Sequence, residues 1–167
     1  MNRNALVCKF AVLNFILLLG AAPVLADQAA DRDAIEALMW RYTRALDSFD
    51  PDAYAAVYTA DGQFGSGTTA AKGAEALKKM IAGIRDGRVK SKAEGKAVSP
   101  MFHMTTDSWI EFIDDTHARH HSYWLTVFGA AGAGSKPSIE AAGRGVDDLV
   151  KINGNWLIKV RDVAPRD

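Results

Sequence analysis

The run MFHMTTDSWIEFIDDTHARHHSYWLTVF, Met101–Phe128, decides the fold. It has no glycine or proline, is rich in aromatic and β-branched residues, and is broken once by Asp114-Asp115. That composition predicts two long strands, Met101–Ile113 and His117–Phe128, joined by a tight acidic turn. The first is long enough to need a bend. Beyond the pair, GAAGAGSKP (Gly129–Pro137) is a flexible connection, and Ser138–Ile152 reads as a third strand. Asn153-Gly154 is a strong hairpin signal, and Asn155–Val163 closes the sheet.

Upstream the period changes to that of helices. Asp33 and Glu36 read as a capping box opening a helix. Ile35, Leu38, Met39, Tyr42, Leu46 and Phe49 then recur on one face. Asp50-Pro51 starts a second helix that runs to Tyr58. TADGQFG (Thr59–Gly65) turns into a short strand around Phe64. Ala74–Ile84 is a third helix, ended by Gly87. Gly87–Pro100, with Arg88, Lys90, Lys92 and Lys96, reads as a basic loop, either simply solvated or a lid or docking site for an anionic group. Helices grouped ahead of strands imply an α+β domain, its helices packed on one face of an antiparallel sheet.

The first 26 of the 167 residues have a different character. Arg3 and Lys9 precede an apolar run, Phe10–Leu19, followed by Val24-Leu25-Ala26. This is the layout of a secretory signal, with a run too short to span a bilayer comfortably. Cleavage after Ala26 leaves residues 27–167 as a single domain, destined for the periplasm or the cell exterior. It removes Cys8, so thiol chemistry and disulfides are excluded from the mature chain. It also leaves 18 basic against 20 acidic residues, a balance that argues against nucleic acid as a partner.

Chemistry is concentrated in few places. In ALDSFDPDAY (Ala45–Tyr54), Asp50 caps the second helix and Asp52 sits in its first turn, where the helix dipole favours a carboxylate. Asp47 has no such job. It falls in the last turn of the first helix, where the dipole disfavours it, about 120° from the centre of the apolar stripe. It is a candidate proton carrier at the edge of the buried face. His103 stands alone at the start of the first long strand. His117, His120 and His121 would cluster like metal ligands on a helix. On a strand, His120 points away from the other two, so no metal site is expected. Alternation along His117–Phe128 does not decide which face meets a pocket. No P-loop, dinucleotide fingerprint or nucleophile elbow is present.

Four segments, RYTRALDSFDPDAYAAVYTADGQF, MFHMTTDSWIEF, ARHHSYWLTVF and GRGVDDLVKINGNWLIKVRDV, together resemble SnoaL-like members of the NTF2-like superfamily. The resemblance spans about Ala30 to Val163. It implies a cone-shaped α+β barrel, with three N-terminal helices on a curved antiparallel sheet enclosing an apolar pocket, and a homodimer or higher homo-oligomer. Dehydratases of this type use an aspartate at the end of the first helix and a histidine at the start of the first long strand, positions held here by Asp47 and His103. The implied function is that of a cofactor-independent lyase or isomerase acting on a small aromatic, polyketide-like or steroid-like molecule. Tyr42, Tyr58, Phe64, Trp109, His121 and Tyr123 are candidate substrate contacts. The alternative is a non-catalytic module of the same fold that holds an apolar ligand or a protein partner. Scytalone dehydratase carries a tyrosine where this chain has Leu46, a serine and an asparagine near Gly143 and Gly145, and a second histidine near Val127. His121 is the candidate substitute for that histidine.

Overall fold

The computed structural model describes the backbone of residues 21–165 and the side chains of 27–165. The expected leader lies outside the described residues up to position 20. Helix α1 (Ala21–Asp47) is followed by α2 (Pro51–Ala56), β1 (Tyr58–Phe64), β2 (Ala71–Lys72) and α3 (Ala74–Ala93). Strands β3 (Met101–Phe112), β4 (His117–Phe128), β5 (Ser138–Ile152) and β6 (Asn155–Asp162) complete the described chain. One sheet of order β2-β1-β6-β5-β4-β3 carries the helices on one face.

The four-strand meander matches the sequence reading closely, and Asn153 and Gly154 turn its last hairpin with φ of 50° and 79°. The sheet as a whole is mixed, because β1 runs parallel to β6. Among the described residues it is also not a closed barrel: β2 and β3 are its two edges. The bend expected in β3 is a bulge between Thr106 and Trp109, with Asp107 at φ 49°. Further irregularities in β4–β5 and β5–β6 curve the sheet around the helices.

Three helix boundaries differ from expectation. Asp33 does not start α1; it lies exposed within a continuous helix, since nothing between Leu25 and Asp33 breaks one. Tyr58 belongs to β1, drawn out of α2 by pairing with Ile158. Gly87 does not stop α3, which continues to Ala93 and ends at Gly95. There Gly95 N–H bonds Lys92 C=O and Lys96 N–H bonds Ser91 C=O, a Schellman motif with Gly95 at φ 74°. Half of the expected basic loop is therefore helix. Arg88 lies over the Phe49 ring at 4.5 Å, and Lys96 pairs with Glu94 at 2.8 Å.

The same motif ends α1 at a position with consequences for chemistry. Phe49 N–H bonds Leu46 C=O at 3.2 Å and Asp50 N–H bonds Ala45 C=O at 3.1 Å, with Phe49 itself at φ 55°. A bulky residue in this region is strained, and packing against the core holds it there. Asp47 is thereby fixed as the last helical residue. Asp50, as expected, caps α2 by accepting from the N–H groups of Asp52 and Ala53.

The core lies between α1, α3 and the sheet, with Ile35, Leu38, Tyr54, Leu77, Ile81 and Ile158 fully buried. At its lower end Asp31 accepts from Trp156 Nε1 at 2.9 Å and from Lys151 Nζ at 2.7 Å. Burial pushes the Asp31 carboxyl up, but these two donors outweigh it and hold it below the ordinary carboxylate range. Its contribution is therefore complete above the unfolded-state value and is lost as pH falls through the lower folded-state one. Asp31→Asn should cost about 1–2 kcal/mol near neutrality. In urea unfolding, the gap from wild type should close as the pH is taken below about 4.

Gly143 and Gly145 face the indole of Trp124. A Cβ on Gly143 would lie 2.6 Å from Trp124 Cζ2. Gly143→Ala should lower stability by about 1–3 kcal/mol and displace the indole, read as a change in tryptophan fluorescence.

Candidate functional site

Asp47 and His103 meet. Asp47 Oδ1 accepts from the His103 backbone N–H at 2.9 Å and lies 2.8 Å from its Nδ1. The two side chains are 10% and 20% exposed. A carboxylate only accepts, so Nδ1 donates to Asp47, and in the neutral imidazole this leaves the lone pair on Nε2. The backbone bond fixes the carboxylate on the strand, and the ring bond fixes the imidazole on the carboxylate.

His103 lines two cavities. The outer one, about 460 Å³, is a groove between α1 and edge strand β3, bounded by Met39, Trp40 and Thr43 on one side and Met104, Thr105 and Ile110 on the other. The inner one, about 180 Å³, lies under the helices. Its walls are largely apolar, from Leu46, Phe64, Trp124, Ala141 and Val163, with Tyr42 and Arg161 also on its surface. The pocket-facing side of β4 is the one with His120, Trp124 and Thr126, which line one cavity or the other.

The candidate contacts named from sequence divide accordingly. Tyr42 and Phe64 line the inner cavity. Tyr58 is buried beside it, its hydroxyl 3.0 Å from that of Tyr54, and burial holds both phenols well above their usual value and neutral. Trp109, His121 and Tyr123 belong to the opposite face of the sheet. Trp109 and Tyr123 are 58% and 53% exposed, and His121 stacks on Trp109 at 4.9 Å and pairs with Glu111. They lie outside the pocket: the inward-facing β4 positions are the even-numbered ones, and Trp109 on β3 pairs with the outward His121. His121 consequently does not replace a second pocket histidine. The three clustered histidines diverge to three carboxylates: His117 to Asp114, His120 to Asp147 and His121 to Glu111.

A buried polar layer was not foreseen. Asp147 and Arg161 are directly opposed across β5 and β6, and His120 opposes Asp147 from β4. Asp147 Oδ2 accepts from Arg161 Nη1 and lies 3.0 Å from His120 Nδ1. The Arg161 guanidinium also lies 4.2 Å from the centre of the Tyr42 ring. Burial opposes its charge, yet Tyr42 and Asp147 overcome this and hold it protonated, above its ordinary value. Asp147 was legible as a charge at an inward β5 position between Gly145 and Leu149. Arg161 was not, as shown by its place beyond a register shift.

Comparison with known proteins gives a family but no reaction. No curated protein matches the chain. Among solved structures, a single-residue variant of Rv3472, a protein of unknown function from Mycobacterium tuberculosis, is 26% identical, covering 86% of this chain and 76% of its own, with a TM-score of 0.69. A proposed scytalone dehydratase from Novosphingobium aromaticivorans is 25% identical over 83% and 85%, TM-score 0.65. An NTF2-like protein with a cystatin-like fold from the same organism shares the fold at 18% identity, with coverage of 89% and 90% and TM-score 0.70. Residues 27–162 match the model of the SnoaL-like domain, and the chain belongs to that family within the NTF2-like fold.

Proposed function

We propose that the protein is a cofactor-independent lyase or isomerase of the dehydratase type, acting on a small cyclic substrate through the Asp47–His103 pair. The observation that carries this is the 2.8 Å contact between Asp47 and His103 Nδ1 on the wall shared by both cavities. With Nδ1 held by the carboxylate, Nε2 takes a proton from carbon beside an electron-withdrawing group. Asp47 stabilises the imidazolium that results. The proton is then returned, either to a departing hydroxyl, releasing water, or to a different carbon, shifting a double bond. Likeness to a proposed scytalone dehydratase adds support for the dehydration branch. Its detailed mechanism does not carry over, since Leu46, Gly143 and Gly145 stand where scytalone dehydratase has polar residues. Incubation with a panel of cyclic and aromatic alcohols, followed by ultraviolet absorbance, identifies a substrate. On it, Asp47→Asn and His103→Ala should each lower turnover at least about a hundredfold with thermal unfolding still cooperative. Near-normal turnover by either variant removes the pair from the mechanism.

The same reading has the mature protein exported and dimeric. Support for the dimer is the outer sheet face, where Phe102, Trp109, Tyr123 and Ile139 are exposed together. Light scattering should give twice the mass of the mature chain, and Ile139→Glu should return the single mass. A wild-type monomer ends this assignment.

A further inference from the structure

One buried imidazole has no part in the chemistry proposed at His103. His120 is 3% exposed on the inner face of β4, and its Nδ1 lies 3.0 Å from Asp147 Oδ2. The carboxylate only accepts, so Nδ1 donates. The other ring nitrogen, Nε2, makes no hydrogen bond among the described residues, yet it is not one of the polar atoms closed off from solvent. It opens to the outer groove, which the His120 side chain lines. Asp147 is itself fixed by Arg161 Nη1. The ring is therefore held with one nitrogen on a carboxylate and the other toward the groove.

The groove has two ends. Along α1 it runs from Thr43, one turn before Asp47, to Arg32, which lies over the Phe112 ring at 5.4 Å. That stretch of helix is about 16 Å long. On the sheet, His103 pairs with Thr126 and Ile110 with His120, so about 20 Å of strand separates the two imidazoles. His103 is at one end and His120 at the other. Between them the walls are apolar, from Met39, Trp40 and Met104. At about 460 Å³ the groove has the volume for a drug-sized molecule, well above that for a single ring. Formal charges balance at the His120 end: Arg32 offsets Glu36 on the rim, and Arg161 offsets Asp147 behind the ring.

The geometry points to His120 as a specificity-determining residue at the far end of the outer groove, where Nε2 binds the terminal hydroxyl of an elongated, otherwise apolar substrate. This rests on the reading of Asp47–His103 as the proton carrier. The reacting ring lies at His103, and an apolar arm runs past Met39, Trp40 and Met104 to His120. A hydroxyl suits the site in either protonation state: it donates to Nε2 of the neutral ring and accepts from Nε2–H of the charged one. A methyl group in its place would leave Nε2 dehydrated and without a partner. A site built to bond a hydroxyl rejects the analogue that lacks one. His120 moves no proton in the reaction. With one hydrogen-bond length taken off at each end, the reacting carbon and the distal hydroxyl are about 10–15 Å apart. The remote contact instead helps to seat the reacting C–H against His103.

The test compares two probes of matched size, 4-hydroxystilbene and 4-methylstilbene. Binding is read from tryptophan fluorescence, to which Trp40 in the groove contributes. The wild type should bind the hydroxyl probe roughly fivefold or more tightly than the methyl probe. His120→Asn keeps an N–H donor for Asp147 near the place of Nδ1 and removes the nitrogen that faces the groove. It should unfold cooperatively, as the wild type does, and bind both probes alike; a structural role alone would leave the preference intact. His103→Ala should keep the full preference, which assigns the hydroxyl to His120 and not to His103. Should His120→Asn not fold, the His120 Nε2 resonance of the wild-type protein decides: it should move with 4-hydroxystilbene well beyond its response to 4-methylstilbene. No binding or no preference in the wild type, a preference kept by folded His120→Asn, a preference lost in His103→Ala, or an Nε2 resonance that responds alike to both probes would each overturn the assignment. Turnover retained by Asp47→Asn alongside an intact His120-dependent preference would refute only the proton carrier.

Discussion

One carboxylate oxygen joins the two halves of this molecule. Asp47 Oδ1 receives both the backbone N–H and the ring of His103, fifty-six residues further along the chain. The first bond anchors the end of α1 to the start of the edge strand β3. The second orients the imidazole. Both depend on where α1 stops. The strained Phe49 closes the helix immediately after Asp47 and turns the chain into α2. Backbone strain is found here next to the group that the chemistry needs, and the surrounding core holds it.

The buried layer behind the site obeys a different constraint. Two charges, Asp147 and Arg161, lie in the core at 0% and 2% exposure. Pairing offsets their desolvation but does not make them better than apolar residues as a source of stability. Arg161 lines the inner cavity, and Asp147 lies behind it, bonded to its Nη1. The glycines at 143 and 145 serve the same cavity from another side, since they give Trp124 room to lie across β5 and form its wall.

Much of this was legible in the chain. Alternation and turn residues gave the four-strand meander nearly residue by residue, because local chemistry and tertiary pairing agree there. Asp47 stood out because it lacked a structural job. The misplaced boundaries have local causes: Gly87 has no left-handed conformation to mark a stop, while Gly95 does, and Tyr58 is taken into a strand by a partner a hundred residues away. Arg161 was hidden by a period-2 reading of β6, which puts it on the same side as Leu157 and Lys159. The register shift between the Leu149–Ile158 and Asp148–Val160 pairs turns it inward instead. Trp109, His121 and Tyr123 were chosen as aromatic and polar groups on promising strands, and only the sheet's direction of curvature shows that they face outward.

Proton transfer at this site depends on the protonation pattern of one imidazole. Long-range 1H–15N correlation of the histidine side chains reports it without a substrate. With His103 neutral, the prediction is a ring hydrogen on Nδ1 and none on Nε2, a pattern that Asp47→Asn disturbs while the other three histidines keep theirs. A ring hydrogen on Nε2 in the wild-type protein, or a His103 signal indifferent to residue 47, would contradict the interaction from which the site is built.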